Sequence, residues 1–372
     1  MEQTIQEKNR EKKAPPPGGR RAAFFVRAAC FFALFAALSA YAVYVLTPKY
    51  DYGICSITNL YRQPENSVDV LVLGTSAAYA GVNTNVLWRQ YGIACYDLCG
   101  AEEPFWASYY LLREALKTQR PRLILLDAKA AVYPREYASH ARIILSAYGI
   151  RSPENRWGAI CASVRDKTEA LDYILGLPQV HNRYAEVTGR DFALPPDNGG
   201  RGDTWKGFIE VDLIPQEEMR PPTLSWSSAQ KQLTKNGEAY LRKILELAQS
   251  QGIPVHLVAF PNPDYANDHA YYNRLWEIAG EYGVPYSNYN DPALDFGLRY
   301  SSDFADWQHL NVKGSIKFSA KLGRDLRARY PLPDRRGDAY YDSYEACAKQ
   351  WYSQLSSFQT SPVNLPEEDE GS

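Results

Sequence analysis

Residues Ala28 to Leu46 give nineteen consecutive positions without a charge, and Ala22 to Val26 extend the apolar run past Arg27. At 1.5 Å rise per residue, about 20 helical residues cross a bilayer, so the pattern predicts a membrane-spanning helix over 22–46. Beyond it the apolar runs are short and β-branched. Val68 to Leu73 is a strand broken by Gly74-Thr75-Ser76 and followed by residues that suit a helix. The same strand-then-helix rhythm continues. Strands are predicted at Ile93–Leu98, Leu123–Leu126, Val255–Phe260 and Val284–Tyr289, and helices at Val82–Gln90, Pro104–Gln119, Asn236–Gln251, His269–Tyr282 and Val312–Arg329. Such alternation specifies an α/β fold with a mostly parallel central sheet. Between Tyr133 and Thr234 the rhythm is lost. Helical spacing survives at Arg142–Tyr148 and Val164–Leu175, while Leu194–Asp203 is rich in Pro and Gly, so 133–234 is read as an inserted cap or lid.

Charge sharpens this division. The net charge of −2 argues against a nucleic-acid partner, but residues 1–46 carry seven Lys/Arg against three Asp/Glu, and the remainder 34 against 40. Lys12, Lys13, Arg20, Arg21 and Arg27 precede the apolar run, which places the N-terminus in the cytoplasm and the rest of the chain outside. The rival reading is a cleaved signal peptide, for which Ala40-Tyr41-Ala42 is the small-x-small site. The expected organisation is a disordered cytoplasmic tail (1–21), a signal anchor (22–46), a connector (47–66), a catalytic domain (67–132 and 235–330) interrupted by the cap (133–234), and a C-terminal extension (331–372) whose acidic end, Glu367 to Glu370, is disordered. Six cysteines in an extracytoplasmic chain predict one or two disulfides and a buried thiol, and their spacing offers no metal site.

The chemistry sits at the ends of the predicted strands. Ser76, on the turn after the first strand, projects a hydroxyl above the sheet edge, but a serine needs a base and a group to orient it. Of five histidines, His309 lies in Asp303-Phe-Ala-Asp306-Trp-Gln-His309, where carboxylate and imidazole meet within one loop. Gly74, Ser76, Asp306 and His309 together resemble the SGNH/GDSL hydrolase superfamily, whose Gly-x-Ser block follows the first strand and whose Asp-x-x-His block precedes the last helix. With a membrane anchor ahead of the Gly-Thr-Ser block, the chain is more narrowly similar to the extracytoplasmic bacterial subgroup that includes teichoic-acid D-alanine transfer and alginate acetylation proteins. The resemblance implies a three-layer flavodoxin-like fold, no cofactor, and a membrane-anchored esterase or O-acyltransferase acting on cell-envelope polysaccharide beside a membrane-bound O-acyltransferase. It assigns Ser76 as nucleophile, His309 as base, Asp306 as its orienting carboxylate, and the backbone of Ser76 and Gly100 as oxyanion donors.

The third block departs from the superfamily pattern: Asp127-Ala-Lys129 stands where an asparagine donor is expected. Lys129 and Asn262 are candidate substitutes for it. Tyr79, His181 and Arg183 are candidate substrate contacts, and Trp205-Lys-Gly-Phe208 a candidate glycan-facing surface. The competing reading is an inactive protein of this fold that binds glycan or assists polymer assembly.

Overall fold

The computed structural model describes residues 17–49, 53–193, 205–214, 228–291 and 293–360. Its centre is a five-stranded, wholly parallel sheet made of β1 (Val70–Gly74), β2 (Cys95–Cys99), β3 (Leu123–Asp127), β4 (Val255–Ala259) and β5 (Tyr286–Asn288), in the order β2-β1-β3-β4-β5. Continuous apolar strands of this kind are buried on both faces, and alternate residues divide between two cores. Leu71, Leu73, Ile124, Leu126 and Leu257 enter one, while Val70, Val72, Leu123, Leu125 and Val258 enter the other. Helices α5 (Phe105–Ala115), α10 (Lys235–Ser250) and α11 (Tyr265–Glu281) supply the first core, and α12 (Val312–Arg329) seals the second. The result is a three-layer α/β architecture, with the parallel sheet that the strand-helix rhythm predicts and the layering that the resemblance implies. Since β1 is flanked by β2 and β3, the strand order reverses there, and the crevice at the carboxyl ends of β1 and β3 is where open α/β sheets bind ligands.

The N-terminal helix α1 (Pro17–Leu46) contains a 26-residue stretch, Arg21–Leu46, long and apolar enough to cross a membrane. Among the described residues, only its last turns are buried against the rest of the protein. The stretch read as a connector holds a buried helix, α2 (Ile54–Leu60), because Ile54, Ile57 and Leu60 share one core-facing side. Residues 133–193 form α6 (His140–Ala147), α7 (Pro153–Ser163), α8 (Lys167–Leu175) and α9 (Leu177–Val180). Ile143, Ile144, Ile160 and Tyr173 from this stretch join the same core as α5 and α10. The Leu194–Asp203 reading and the acidic end at Glu367–Glu370 lie outside the described residues.

Residues 205–214 run along the free edge of β2, with the Asp97 N–H donating to Lys206 O at 2.9 Å. Gly207, at φ +88°, sits so close that a Cβ there would stand 2.0 Å from Asp97 O. Trp205 and Phe208 are buried against α12 and Trp351 rather than offered to a glycan, because covering an open sheet edge requires apolar side chains facing inward. All six cysteines are free, contrary to the expected disulfides. Four residues of extended β2 separate Cys95 from Cys99 by about 13 Å, beyond the span of a disulfide.

The extension after α12 is ordered, and its inward residues Tyr344, Ala348 and Trp351 recur at helical spacing. Helix α13 (Asp342–Gln354) packs Tyr344 on the indole of Trp88 at 5.3 Å between ring centroids. Just before it, Arg335 grips the buried Asp69 through two bonds of 2.7 and 2.9 Å. Arg335→Ala is expected to lower the stability of the full chain by about 2 kcal/mol, since half of a bidentate, largely buried pair is left without its partner. Thermal unfolding in detergent measures it. An unchanged midpoint would show that Arg122, also on Asp69 at 3.2 Å, suffices alone.

Candidate active site

Ser76 opens the short helix α3 (Ser76–Gly81), directly after β1. Its turn is built by the neighbouring strand. Register places Leu73 beside Leu126, so the next residues, Gly74 and Asp127, stand side by side at the carboxyl edge. Asp127 Oδ2 accepts from the Thr75 N–H at 3.0 Å and the Thr75 hydroxyl at 2.6 Å, and Oδ1 accepts from the Lys129 N–H at 2.8 Å. Thr75 Oγ1 in turn caps α3 by accepting from the Ala77 N–H. Full burial raises the Asp127 carboxyl above the usual range, against the pull of these bonds. Asp127 therefore does not supply the amide donor of the superfamily block; it latches the turn that carries Ser76. The signal was available in the sequence, since Asp127 ends an apolar strand beside Gly74, but only the strand register gives it meaning.

The base loop is pinched at its foot by a bridge between Phe304 and Leu310 and by the Ala305 N–H donating to His309 O at 2.9 Å. Asn311 caps α12 through the Gly314 N–H at 3.1 Å. At the tip, Asp306 Oδ1 accepts from the Gln308 and His309 amides at 2.7 and 2.9 Å, which fixes the carboxylate before it meets the ring. Asp306 Oδ2 then lies 2.8 Å from His309 Nδ1, and His309 Nε2 lies 2.7 Å from Ser76 Oγ. Partial burial pushes Asp306 up, but the bonds from His309 and the two amides outweigh it and hold the carboxyl below its ordinary range. Residues 233 positions apart thus form a continuous hydroxyl–imidazole–carboxylate relay.

The expected oxyanion hole is only partly present. The Ser76 N–H has no acceptor among the described residues. The Gly100 N–H, by contrast, donates to Gly74 O at 3.0 Å. This corrects its assignment: the parallel ladder of β1 and β2 runs one residue beyond β2 and takes that amide. Beside Gly100 the buried Glu103 accepts from the Ser108 hydroxyl, and burial lifts its carboxyl well above the usual range.

The remaining candidates divide by position. Lys129 is nearly buried and paired with Asp268 at 2.6 Å, so its charge is committed elsewhere. Tyr79 is 7% exposed within the second core, because α3 turns that face toward the sheet. His181 Nδ1 lies 2.9 Å from Pro178 O, and Arg183 bonds Leu46 O at 3.2 Å and Asp191 at 3.0 Å. Arg183 thus stands against the end of α1, and His181 opens the same turn. Asn262 follows β4, two strand spacings or about 10 Å from β1; its Oδ1 accepts from the Asp264 N–H, and its buried Nδ2 is unpartnered.

Sequence reasoning also missed the cavity beside the turn. It measures about 310 Å³ and is lined by Glu102, Trp106, Tyr133, Arg135, Tyr137 and Arg142. Tyr133 adjoins Thr75, its phenol pushed upward by burial and by Asp127. Arg142 pairs with Glu102 at 3.1 Å.

No family model matches the chain. Among solved structures, a gut microbial diltiazem-metabolizing enzyme is similar over 71% of this chain and 48% of that one, at 11% identity and a TM-score of 0.26, so this chain spans about half the length of the structure it matches.

Proposed function

We propose that the chain is a serine-dependent acyl-ester hydrolase or O-acyltransferase, held at the outer face of a membrane and acting on esters of cell-envelope polysaccharide. The Ser76–His309–Asp306 relay is the observation that carries this reading. His309 Nε2 takes the Ser76 proton as Oγ bonds to the acyl carbon, while Asp306 steadies the imidazolium through Nδ1. The carbonyl oxygen, now negative, is met by the free Ser76 N–H. Collapse of the tetrahedral species breaks the bond to the alcohol oxygen, to which His309 returns the proton. The acyl-serine is then cleared by water or by a sugar hydroxyl, activated by the same imidazole. The cavity bordered by Tyr133, Trp106 and Tyr137 adjoins the serine turn through Tyr133 beside Thr75 and is not lined by Ser76 or His309; its aromatic faces and guanidinium groups suit the apolar and polar sides of a pyranose. The basic residues that precede the uncharged run Ala28–Leu46 support an outside location for the domain, and a multi-span O-acyltransferase is the partner such a location would call for.

A second reading is favoured by one observation, the commitment of the Gly100 N–H to Gly74 O, which leaves the oxyanion with a single identified backbone donor. In that reading the protein binds glycan without turning it over. A fluorophosphonate probe separates the two. Wild-type chain labels and Ser76→Ala does not if the serine is activated; a folded wild-type chain that stays unlabelled would favour binding alone.

A further inference from the structure

The end of α1 is not a free tether. Lys49 Nζ donates to Tyr44 O at 2.6 Å, Arg183 donates to Leu46 O at 3.2 Å, and both are tied to Asp191, at its backbone oxygen and its carboxylate. These cations satisfy carbonyls that the last turn of a helix leaves open. The Tyr44 hydroxyl bonds Ala193 O, and Gly176 approaches so near that a Cβ there would stand 2.8 Å from Val43. α9 and the turns His181–Glu186 and Gly189–Phe192 are therefore built onto α1 at Val43–Leu46. The depth of α1 in a bilayer sets the depth of these segments.

That depth follows from the sequence. Arg21 and Arg27 are costly in hydrocarbon and bracket the inner boundary, so Val43, sixteen to twenty-two residues on, lies about 24 to 33 Å along the helix. The hydrocarbon core is about 30 Å thick, and tilt shortens the reach further. Whatever packs around Val43 and Tyr44 is then at the level of the outer acyl chains and headgroups. The side chains found there fit that level. Ala170 and Tyr173 turn α8 inward to the core, while Leu171 and Leu175, one turn apart, point outward at 50% and 68% exposure. Tyr184 is 76% exposed and Phe192 51%. Lys167 stands on the same face of α8 as Leu171, where an ammonium can meet lipid phosphate.

We propose that Leu171, Leu175, Tyr184 and Phe192 form a face of the protein that is seated in the outer leaflet of the membrane crossed by α1. The occupant of this apolar surface is lipid, and the inference rests on reading α1 as a membrane span. One consequence concerns the site. Helix α6 borders the cavity beside Thr75 with Ser139 and Arg142 and a second cavity, along Leu46 and Arg183, with His140 and Ile144. The cavity lined by Tyr133 then lies about one helix diameter, roughly 10 Å, from the buried root of α1.

The test uses the full chain in vesicles of phosphatidylethanolamine and phosphatidylglycerol, with the reachable thiols removed (Cys30→Ser, Cys161→Ser, Cys347→Ser). An environment-sensitive fluorophore is placed singly at Leu175→Cys, Phe192→Cys, Phe35→Cys within α1, and Tyr340→Cys in the segment packed on α4 (Thr84–Tyr91). Lipids carrying a nitroxide near the headgroup should quench positions 175 and 192 several-fold more than 340, and lipids with a deep nitroxide should quench 35. Quenching at 35 with none at 175 and 192 above the level at 340 overturns the seated face and leaves the span intact. Absence of quenching at 35 as well overturns both.

Discussion

His309→Ala lowers turnover of an aryl acetate ester by about 10⁴-fold while leaving the thermal midpoint within a degree or two of wild type. The size of the loss follows from what the imidazole does: it accepts the serine proton in one half-reaction and returns it to the leaving oxygen, and no other side chain in the described residues contacts Ser76 Oγ. Stability should hold, because the loop is fixed by the Phe304–Leu310 bridge and by Asp306 accepting two amides, neither of which needs the ring. Asp306→Asn should cost less than His309→Ala. The Asp306 side chain is half exposed, so water screens its charge on the imidazolium, although the geometry it imposes on Nδ1 is lost. Steady-state kinetics on both variants decide the matter. If His309→Ala retains activity within tenfold of wild type, the base is wrongly assigned, and equal losses in the two variants would show that orientation rather than proton transfer is limiting.

The parts of the fold that were legible in sequence are those where one physical signal dominates. Val70–Leu73 and Leu123–Leu126 are continuous apolar runs, Val255–Ala259 is broken only by His256, and a strand buried on both faces suits all three. The Asp306–His309 pairing was legible because three-residue spacing closes it within one loop. Elsewhere the deciding contact is remote in sequence. Nothing local to Asp127 says that it will meet Thr75, since strand register brings them together across fifty-two positions. His181 and Arg183 have the composition of a substrate-contacting loop, yet the side of the molecule on which a loop falls is set by how α9 and the turn after it pack on α1. Gly100 illustrates a different limit. The resemblance implies an oxyanion donor there, but a backbone N–H carries no sequence label, and the ladder partner that occupies it is visible only in three dimensions. Helix α13 was in fact legible, since its inward residues, Tyr344, Ala348 and Trp351, recur at spacings of four and three, the period of a helix.

Gly74→Ala is expected to destabilise the chain by about 3 kcal/mol or more and to abolish ester turnover, because this position has no room for a side chain and no backbone freedom for one. Gly74 sits at φ +152°, and an added Cβ would stand 2.2 Å from Asp127 Cβ and 3.0 Å from its Oδ2. Asp127 would have to leave, freeing two backbone amides and a hydroxyl in a buried place. Asp127→Asn tests the same latch without the clash. One amide oxygen cannot replace two carboxylate oxygens that accept from Thr75 and Lys129, so a loss of about 1–3 kcal/mol is expected. A shift of Ser76 by even an ångström would cost about 10²-fold in rate. The two effects part company with pH. Burial raises the Asp127 carboxyl in the folded chain, so its contribution is greatest below the unfolded pKa and declines as pH rises through the folded one. Asparagine does not titrate, and the stability gap between wild type and Asp127→Asn should therefore narrow as pH is raised from about 4, while the catalytic defect, which is geometric, should persist. Unfolding midpoints and turnover measured across that range separate the two. A gap that widens with pH would mean that the folded carboxyl is held ionised by its donors, against the cost of its burial.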